Sequence, residues 1–114
     1  MVQQGFTKND WTLFRSKLPG WQEAFMDKLN KEYIALLSKD ANPSDRFWEL
    51  DRRIRNDRQK AGVQLRMSRS NFIPNILSLL HEGAIGLEDL DEFSEELRDT
   101  IRIFTRQSLE EADY

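Results

Sequence analysis

The most constraining feature of the sequence is an apolar stripe within residues 21–37. On a helix of 3.6 residues per turn, seven large apolar side chains of this segment fall within one arc of about 160°. They are Trp21, Phe25, Met26, Leu29, Tyr33, Leu36 and Leu37. A stripe this wide needs cover from several other helices. We therefore predict that residues 21–37 form the central helix of a small helical domain.

A separate helix is predicted to precede this stripe. Thr7 and Asp10 have the spacing of a capping box, with Asp in place of the usual Glu. The pair Pro19-Gly20 should end that first helix and open the central one, since proline interrupts helical hydrogen bonding.

Ser44 is a suitable N-cap for a third helix over residues 45–60. Its apolar positions recur at helical spacing, and we predict that they are buried. They are Phe47, Leu50, Ile54 and Ala61.

The rest of the chain predicts one extended connector and more helix. Residues 63–67 alternate apolar and polar side chains, which favours an extended connector packed on the bundle over pairing with a second copy. A fourth helix should cover residues 71–82 and end at Gly83. Residues 87–104 form either one continuous helix or a short turn followed by a new helix beginning near Ser94. The predicted fold is all-α, a compact antiparallel bundle of about five helices in a single domain spanning 1–114, with 1–6 and 109–114 flexible.

Composition excludes several classes of activity. The chain has no cysteine, which excludes thiol nucleophiles, disulfides and cysteine-based zinc sites. Its one histidine, His81, is expected on the polar side of a helix end, and no nucleophile elbow or glycine-rich phosphate loop is present. We therefore expect no catalytic residues, no metal and no cofactor. The first ten residues lack the pattern of a signal peptide, and the apolar cluster 72–80 is too short to cross a bilayer, so we expect a cytoplasmic protein.

Charge is unevenly distributed along the chain. Residues 45–80 carry eight basic and four acidic side chains, whereas residues 81–114 carry three basic and eleven acidic ones. The basic segment 52–69 predicts a possible nucleic-acid contact, because arginine suits bidentate binding of phosphate. The alternative is that the basic segment only pairs with the acidic C-terminal region. The candidate anion contacts are Arg58, Lys60, Arg66 and Arg69.

Protein interaction, including self-association, is the function that the sequence favours. The candidate contact residues are those that the apolar stripes leave outside, and exposed aromatic residues are typical of binding hot spots. They are Leu13, Trp48 and Ile103, together with the side chains of connector 63–67. A further alternative is that the acidic segment 88–99 imitates a phosphate backbone and blocks a basic groove on another protein.

Three segments resemble a group of short bacterial proteins of unknown function that are frequent in Gram-positive anaerobes. The segments are DWTLFRSKLPGWQEAFMDKLNKEYIALLSKDANPSDRFWELDRRIRND at 10–57, SRSN at 68–71 and GAIGLEDLDEFSEELRDTI at 83–101. Some members of that group are labelled multidrug transporters, but the hydropathy of this chain argues against membrane spans. The resemblance implies a bacterial cytoplasmic protein and no particular site residues.

Overall fold

The computed structural model describes residues 5–112, with side chains described for residues 5–107. Of the segments predicted to be flexible, residues 1–4 and 113–114 lie outside the described residues. Phe6 packs edge-on against Phe72, with ring centroids 4.6 Å apart. The last helix runs as far as Ala112.

The regular structure in the described part of the chain is helical, with no strand, which confirms that the fold is all-α. Single 3-10 turns lie at Arg69–Asn71 and Leu87–Leu90, and the connector 63–67 has no regular structure. Within residues 5–112, no helix combines the length and hydrophobicity that crossing a bilayer requires. The α-helices are α1 Lys8–Ser38, α2 Pro43–Asp57, α3 Phe72–His81 and α4 Glu95–Ala112.

The prediction that Pro19-Gly20 divides two helices is wrong, so the described chain has four α-helices where about five were predicted. Helix α1 continues through Pro19 for 31 residues. Proline removes the hydrogen bond to the carbonyl of Arg15. Arg15, Pro19 and Gly20 are all exposed, so that carbonyl can be hydrated. The cost of the lost bond is offset because a continuous helix buries both Leu18 and Phe25.

The main core lies against the first third of α1, not against the stripe 21–37. Trp11, Phe14 and Leu18 pack with the apolar sides of α3 and α4. Phe14 and Phe72, both fully buried, have ring centroids 4.8 Å apart. The other buried members of this core are Ala61, Ile73, Ile76, Leu79, Ile85, Leu90, Phe93, Leu97 and Ile101.

Asp10 joins the starts of α1 and α4. Its Oδ2 accepts a 2.8 Å hydrogen bond from the Thr7 backbone N–H, and Thr7 Oγ1 accepts from the Asp10 N–H at 3.0 Å, so the predicted capping box is present. The same carboxylate accepts from Ser94 N–H at 2.8 Å and from Ser94 Oγ at 2.6 Å. Ser94 Oγ in turn accepts from the Leu97 N–H at 3.1 Å. The chain after the 3-10 turn therefore begins a new helix at Glu95, directly after Ser94, which is the second of the two predicted alternatives.

The molecule is elongated because α1 and α2 extend beyond the main core as a helical hairpin. The radius of gyration is 17.0 Å and the principal extents are 60 × 38 × 22 Å, whereas a compact chain of this length has a radius of about 13 Å. The stripe 21–37 is consequently covered by α2 alone over most of its length. Phe25, Leu29 and Leu36 are buried, but Leu37 is exposed, which corrects the prediction that several helices enclose the stripe.

The hairpin joins the main core at the turn after α2. Glu82 accepts hydrogen bonds from the backbone N–H groups of Ala61 at 3.0 Å and Gly62 at 3.1 Å. Gln22 Nε2 donates to the Ala61 carbonyl at 3.0 Å. A Cβ on Gly62 would lie 2.3 Å from the ring of Phe25, so only glycine fits this close approach. Helix α2 ends at Asp57, before this turn.

Candidate interaction surface

Helices α1 and α2 form an antiparallel pair. Along one edge of the pair, which we call the closed edge, charged side chains bridge the two helices. Two ion pairs cross that edge, Arg53 to Glu32 at 3.1 Å and Lys39 to Glu49 at 2.7 Å. Arg46 Nη1 donates to the carbonyls of Leu37 at 3.1 Å and Lys39 at 3.2 Å, which satisfies the C-terminal end of α1.

A buried carboxylate holds the middle of the pair. Asp57, 2% exposed, accepts a 2.6 Å hydrogen bond from the hydroxyl of Tyr33. Its other oxygen faces Lys60 Nζ at 3.0 Å, and Arg53 lies 3.8 Å from the carboxylate. Burial alone raises the pKa of Asp57, but the hydrogen bond and the two cations outweigh burial and lower it. Burial and the bond to Asp57 raise the pKa of Tyr33 to about 12.

The opposite edge of the α1–α2 pair is open and apolar. In each helix, some residues face the other helix directly. In an antiparallel pair, the positions about 100° beyond those residues, in the same sense of rotation for α1 and α2, lie on the same side of the pair. Ile34 is 64% exposed, Phe47 61% and Trp48 58%, and the rings of Phe47 and Trp48 are in edge contact at 5.0 Å. We call this surface the hairpin face. Its residues are Ile34, Leu37, Phe47 and Ile54, together with Trp48, which lies about 100° further round α2 and joins the face through its ring contact with Phe47.

The hairpin face corrects the prediction that the stripe of α2 is buried. Phe47 and Ile54 are exposed, Leu50 is half-buried and only Ala61, beyond the helix end, is fully buried. The helical periodicity of Phe47, Leu50 and Ile54 does mark an apolar side of α2. No described helix covers that side, since α3 and α4 pack against the start of α1.

The three predicted protein-contact residues lie in different places. Trp48 is part of the hairpin face. Leu13 is half-buried and packs against the main core. Ile103 is 58% exposed on α4, next to Phe104, which borders a cleft of about 670 Å³ between α3 and α4. Helical spacing did not identify the other residues of the hairpin face as contact residues. Leu37, Phe47 and Ile54 have the spacing of buried positions, and Ile34 lies outside the predicted stripe.

The four candidate anion contacts are distributed over several elements. Lys60 is bound to the buried Asp57, so its charge is already paired. Arg58 is exposed at the C-terminal end of α2. Arg66 lies on the connector, where its carbonyl accepts from Asn75, and Arg69 begins the 3-10 turn before α3.

The acidic segment 88–99 does not form one continuous helical face. It is divided among the 3-10 turn, a bend and the start of α4. Asp89 caps the Gly86 N–H at 2.8 Å, Glu92 pairs with Lys17 at 3.2 Å and Asp99 pairs with Arg102 at 2.7 Å. Among the described side chains, no group of three or more acidic or histidine residues could hold a metal ion. His81 is exposed in the last turn of α3.

Comparison with known proteins identified no relative of this chain. No protein-family model, curated protein or solved structure matches this chain. The resemblance to short bacterial proteins therefore stays a prediction, and the geometry of the hairpin is the basis for any functional proposal.

Proposed function

We propose that this protein is a non-enzymatic, cytoplasmic interaction module that binds a protein partner through the hairpin face. The observation that supports the proposal is the exposure of Ile34, Leu37, Phe47 and Ile54 on one side of an extended helix pair, with the exposed ring of Trp48 in contact with Phe47. Five large apolar side chains exposed to this extent leave on the order of 500 Å² open, which is as large as the biggest patch on a typical monomer. Such patches mark interaction sites.

The composition of the hairpin face also suits binding. Tryptophan and other aromatic residues contribute much of the binding energy at protein interfaces, and they do so near the centre of the contact. Phe47 and Trp48 are adjacent in sequence and their rings touch, so together they form one aromatic projection.

The buried carboxylates support a structural role over a catalytic one. Burial raises the pKa of Asp10, but hydrogen bonds from Ser94 and Thr7 outweigh it and lower the pKa. Asp10 and Asp57 are each engaged by neighbouring donors or cations, and both are held in the charged form. A general base in an active site would instead have a pKa near neutrality and face a substrate cleft.

The test is capture of partners from a lysate of the source organism by the immobilised protein. We expect a specific protein to be retained by the native chain and lost with Trp48→Glu. Leu87→Glu is the matched control, because Leu87 is similarly exposed but lies outside the hairpin. Circular dichroism verifies that both variants are folded. Equal capture by both variants would contradict the proposal.

A further inference from the structure

We propose that the partner at the hairpin face is a second copy of this chain, and that two hairpins pack as a four-helix bundle with their tips aligned. This inference rests on the proposed function and names the partner. In the assembly, α1 of one chain lies antiparallel to α2 of the other.

The first argument is the order of residues along α1. A single stripe of α1, at helical spacing, runs from the main core towards the hairpin tip. It is acidic near the core and apolar at the tip. Its members are Glu23, Asp27, Asn30, Ile34 and Leu37.

The neighbouring stripe of α2 has the complementary order. It is apolar at the tip and basic near the core. Asp51, in its middle, is neutralised by Arg55 at 2.7 Å. The members of the stripe are Phe47, Asp51, Ile54 and Arg58.

The contacts across the closed edge show which residues of α1 and α2 lie at the same height along the hairpin. Glu32 lies level with Arg53, and Lys39 lies near Glu49. Continuing the helical rise from these pairs puts Leu37 near the level of Phe47, and Asp27 near the level of Arg58.

A two-fold axis parallel to the hairpin then brings complementary surfaces together. With the tips aligned, Leu37 of one chain meets Phe47 of the second copy, and Glu23 and Asp27 come near Arg58 of the second copy, with Arg55 one turn away. Within each chain Asp27 contacts Lys31 at 3.0 Å and Arg55 contacts Asp51 at 2.7 Å, and such exposed pairs hold their charges only weakly.

The reverse two-fold arrangement, tip against base, would place α1 on α1 and α2 on α2. It would bury Glu23 and Asp27 against Leu37, and Arg58 against Phe47, which is costly for charges without a partner. Only the aligned arrangement matches both apolar and charged parts, and it is isologous as two-fold symmetry requires.

The exposed area fits such an assembly. The hairpin face with its charged neighbours approaches the roughly 800 Å² per partner that a standard interface buries. Neighbouring helices in the resulting bundle are all antiparallel, which is the arrangement of simple four-helix bundles with short connections.

Solution mass over a wide range of protein concentration is the first measurement. We expect the full chain to reach twice its monomer mass of 13.5 kDa, as should the control Leu87→Glu. The double variant Ile34→Glu with Phe47→Glu should remain monomeric and folded. A native chain that stays monomeric at every concentration overturns the second copy as partner. If the native chain is monomeric but captures a different protein, and Trp48→Glu abolishes that capture, the proposed function still holds.

Mixing two charge-reversed chains tests the alignment. One chain carries Glu23→Arg and Asp27→Arg, and the other carries Arg55→Glu and Arg58→Glu. Each should dimerise at least tenfold more weakly alone, because like charges meet, and an equimolar mixture should restore the dimer. Contacts within one chain cannot produce this restoration. If the native chain dimerises but the mixture does not associate, the aligned arrangement is overturned. If the double variant Ile34→Glu with Phe47→Glu still dimerises like the native chain, the hairpin face is not the interface.

Discussion

The hydroxyl of Tyr33 donates a 2.6 Å hydrogen bond to the carboxylate of Asp57, which is almost completely buried between α1 and α2. Arg53 lies over the Tyr33 ring, 5.7 Å from its centroid, and also close to the same carboxylate. In the part of α1 that pairs with α2, the buried apolar residues are Phe25, Leu29 and Leu36, so we expect the loss of a partner in this polar group to destabilise the hairpin measurably.

Tyr33→Phe should therefore destabilise the hairpin. The variant keeps the ring but leaves one oxygen of a buried carboxylate without its donor, and we expect a loss of about 1–2 kcal/mol in the free energy of unfolding. Urea denaturation at one fixed protein concentration measures it. An unchanged free energy of unfolding would show that water replaces the hydroxyl without cost.

The raised pKa of Tyr33 predicts a late step in an alkaline titration. The chain has two tyrosines, and an ordinary tyrosine ionises near pH 10. The folded-state pKa of Tyr33 is about 12, so the stability from its protonated form is present below about pH 10 and is lost as the pH rises towards 12. Ultraviolet absorbance of tyrosinate should show a late step that Tyr33→Phe removes. A Tyr33→Phe variant that instead loses an ordinary step near pH 10 would contradict this account.

Acid should weaken the fold through Asp10 and Asp57. Both pKa values are lowered in the folded state, so each carboxylate stabilises the protein above its unfolded pKa of about 4. That stability is lost as the pH falls through the folded values. In urea denaturation between neutral pH and pH 3, Asp10→Asn should be less stable at neutral pH and lose less on acidification. A slope equal to that of the native chain would mean that Asp10 is not linked to folding.

Gly62→Ala should disrupt the junction between the hairpin and the main core. The new Cβ would overlap the Phe25 ring, and overpacking of this kind costs about 1–3 kcal/mol. Phe25→Leu should relieve part of the loss in a double-mutant cycle. Gly20→Ala is the control, because a Cβ there meets no atom within 4 Å and alanine favours a helix by about 0.5–1 kcal/mol. Thermal unfolding of the four members of the cycle and of the control measures these effects, and additive effects of the two junction substitutions would contradict the proposed overlap.

Helix caps and helix ends could be predicted from the sequence. Whether another element packs over the apolar side of a helix could not. The capping box of Thr7 and Asp10 and the helix end at Gly83 follow from short-range backbone requirements, and both are present; Gly83 has a φ of +78°. The bond between Asp10 and Ser94 joins residues far apart in sequence, so spacing alone could not predict it.

The candidate surface was only partly predictable for the same reason. Helical periodicity shows that Phe47 and Ile54 share one side of α2, but burial depends on whether another element lies over that side. The effect of Pro19 on the helix decides where residues 21–37 lie, and the local sequence does not determine that effect. A break there would have folded residues 21–37 back into the core, whereas the continuous α1 carries them away from it.

The central claim is that the hairpin extends uncovered from the main core, and small-angle X-ray scattering tests it most directly. The measurement uses the double variant Ile34→Glu with Phe47→Glu, which removes self-association as a complication. We predict a radius of gyration close to the 17.0 Å of the Cα atoms. A value near the roughly 13 Å of a compact domain of this length would contradict the account.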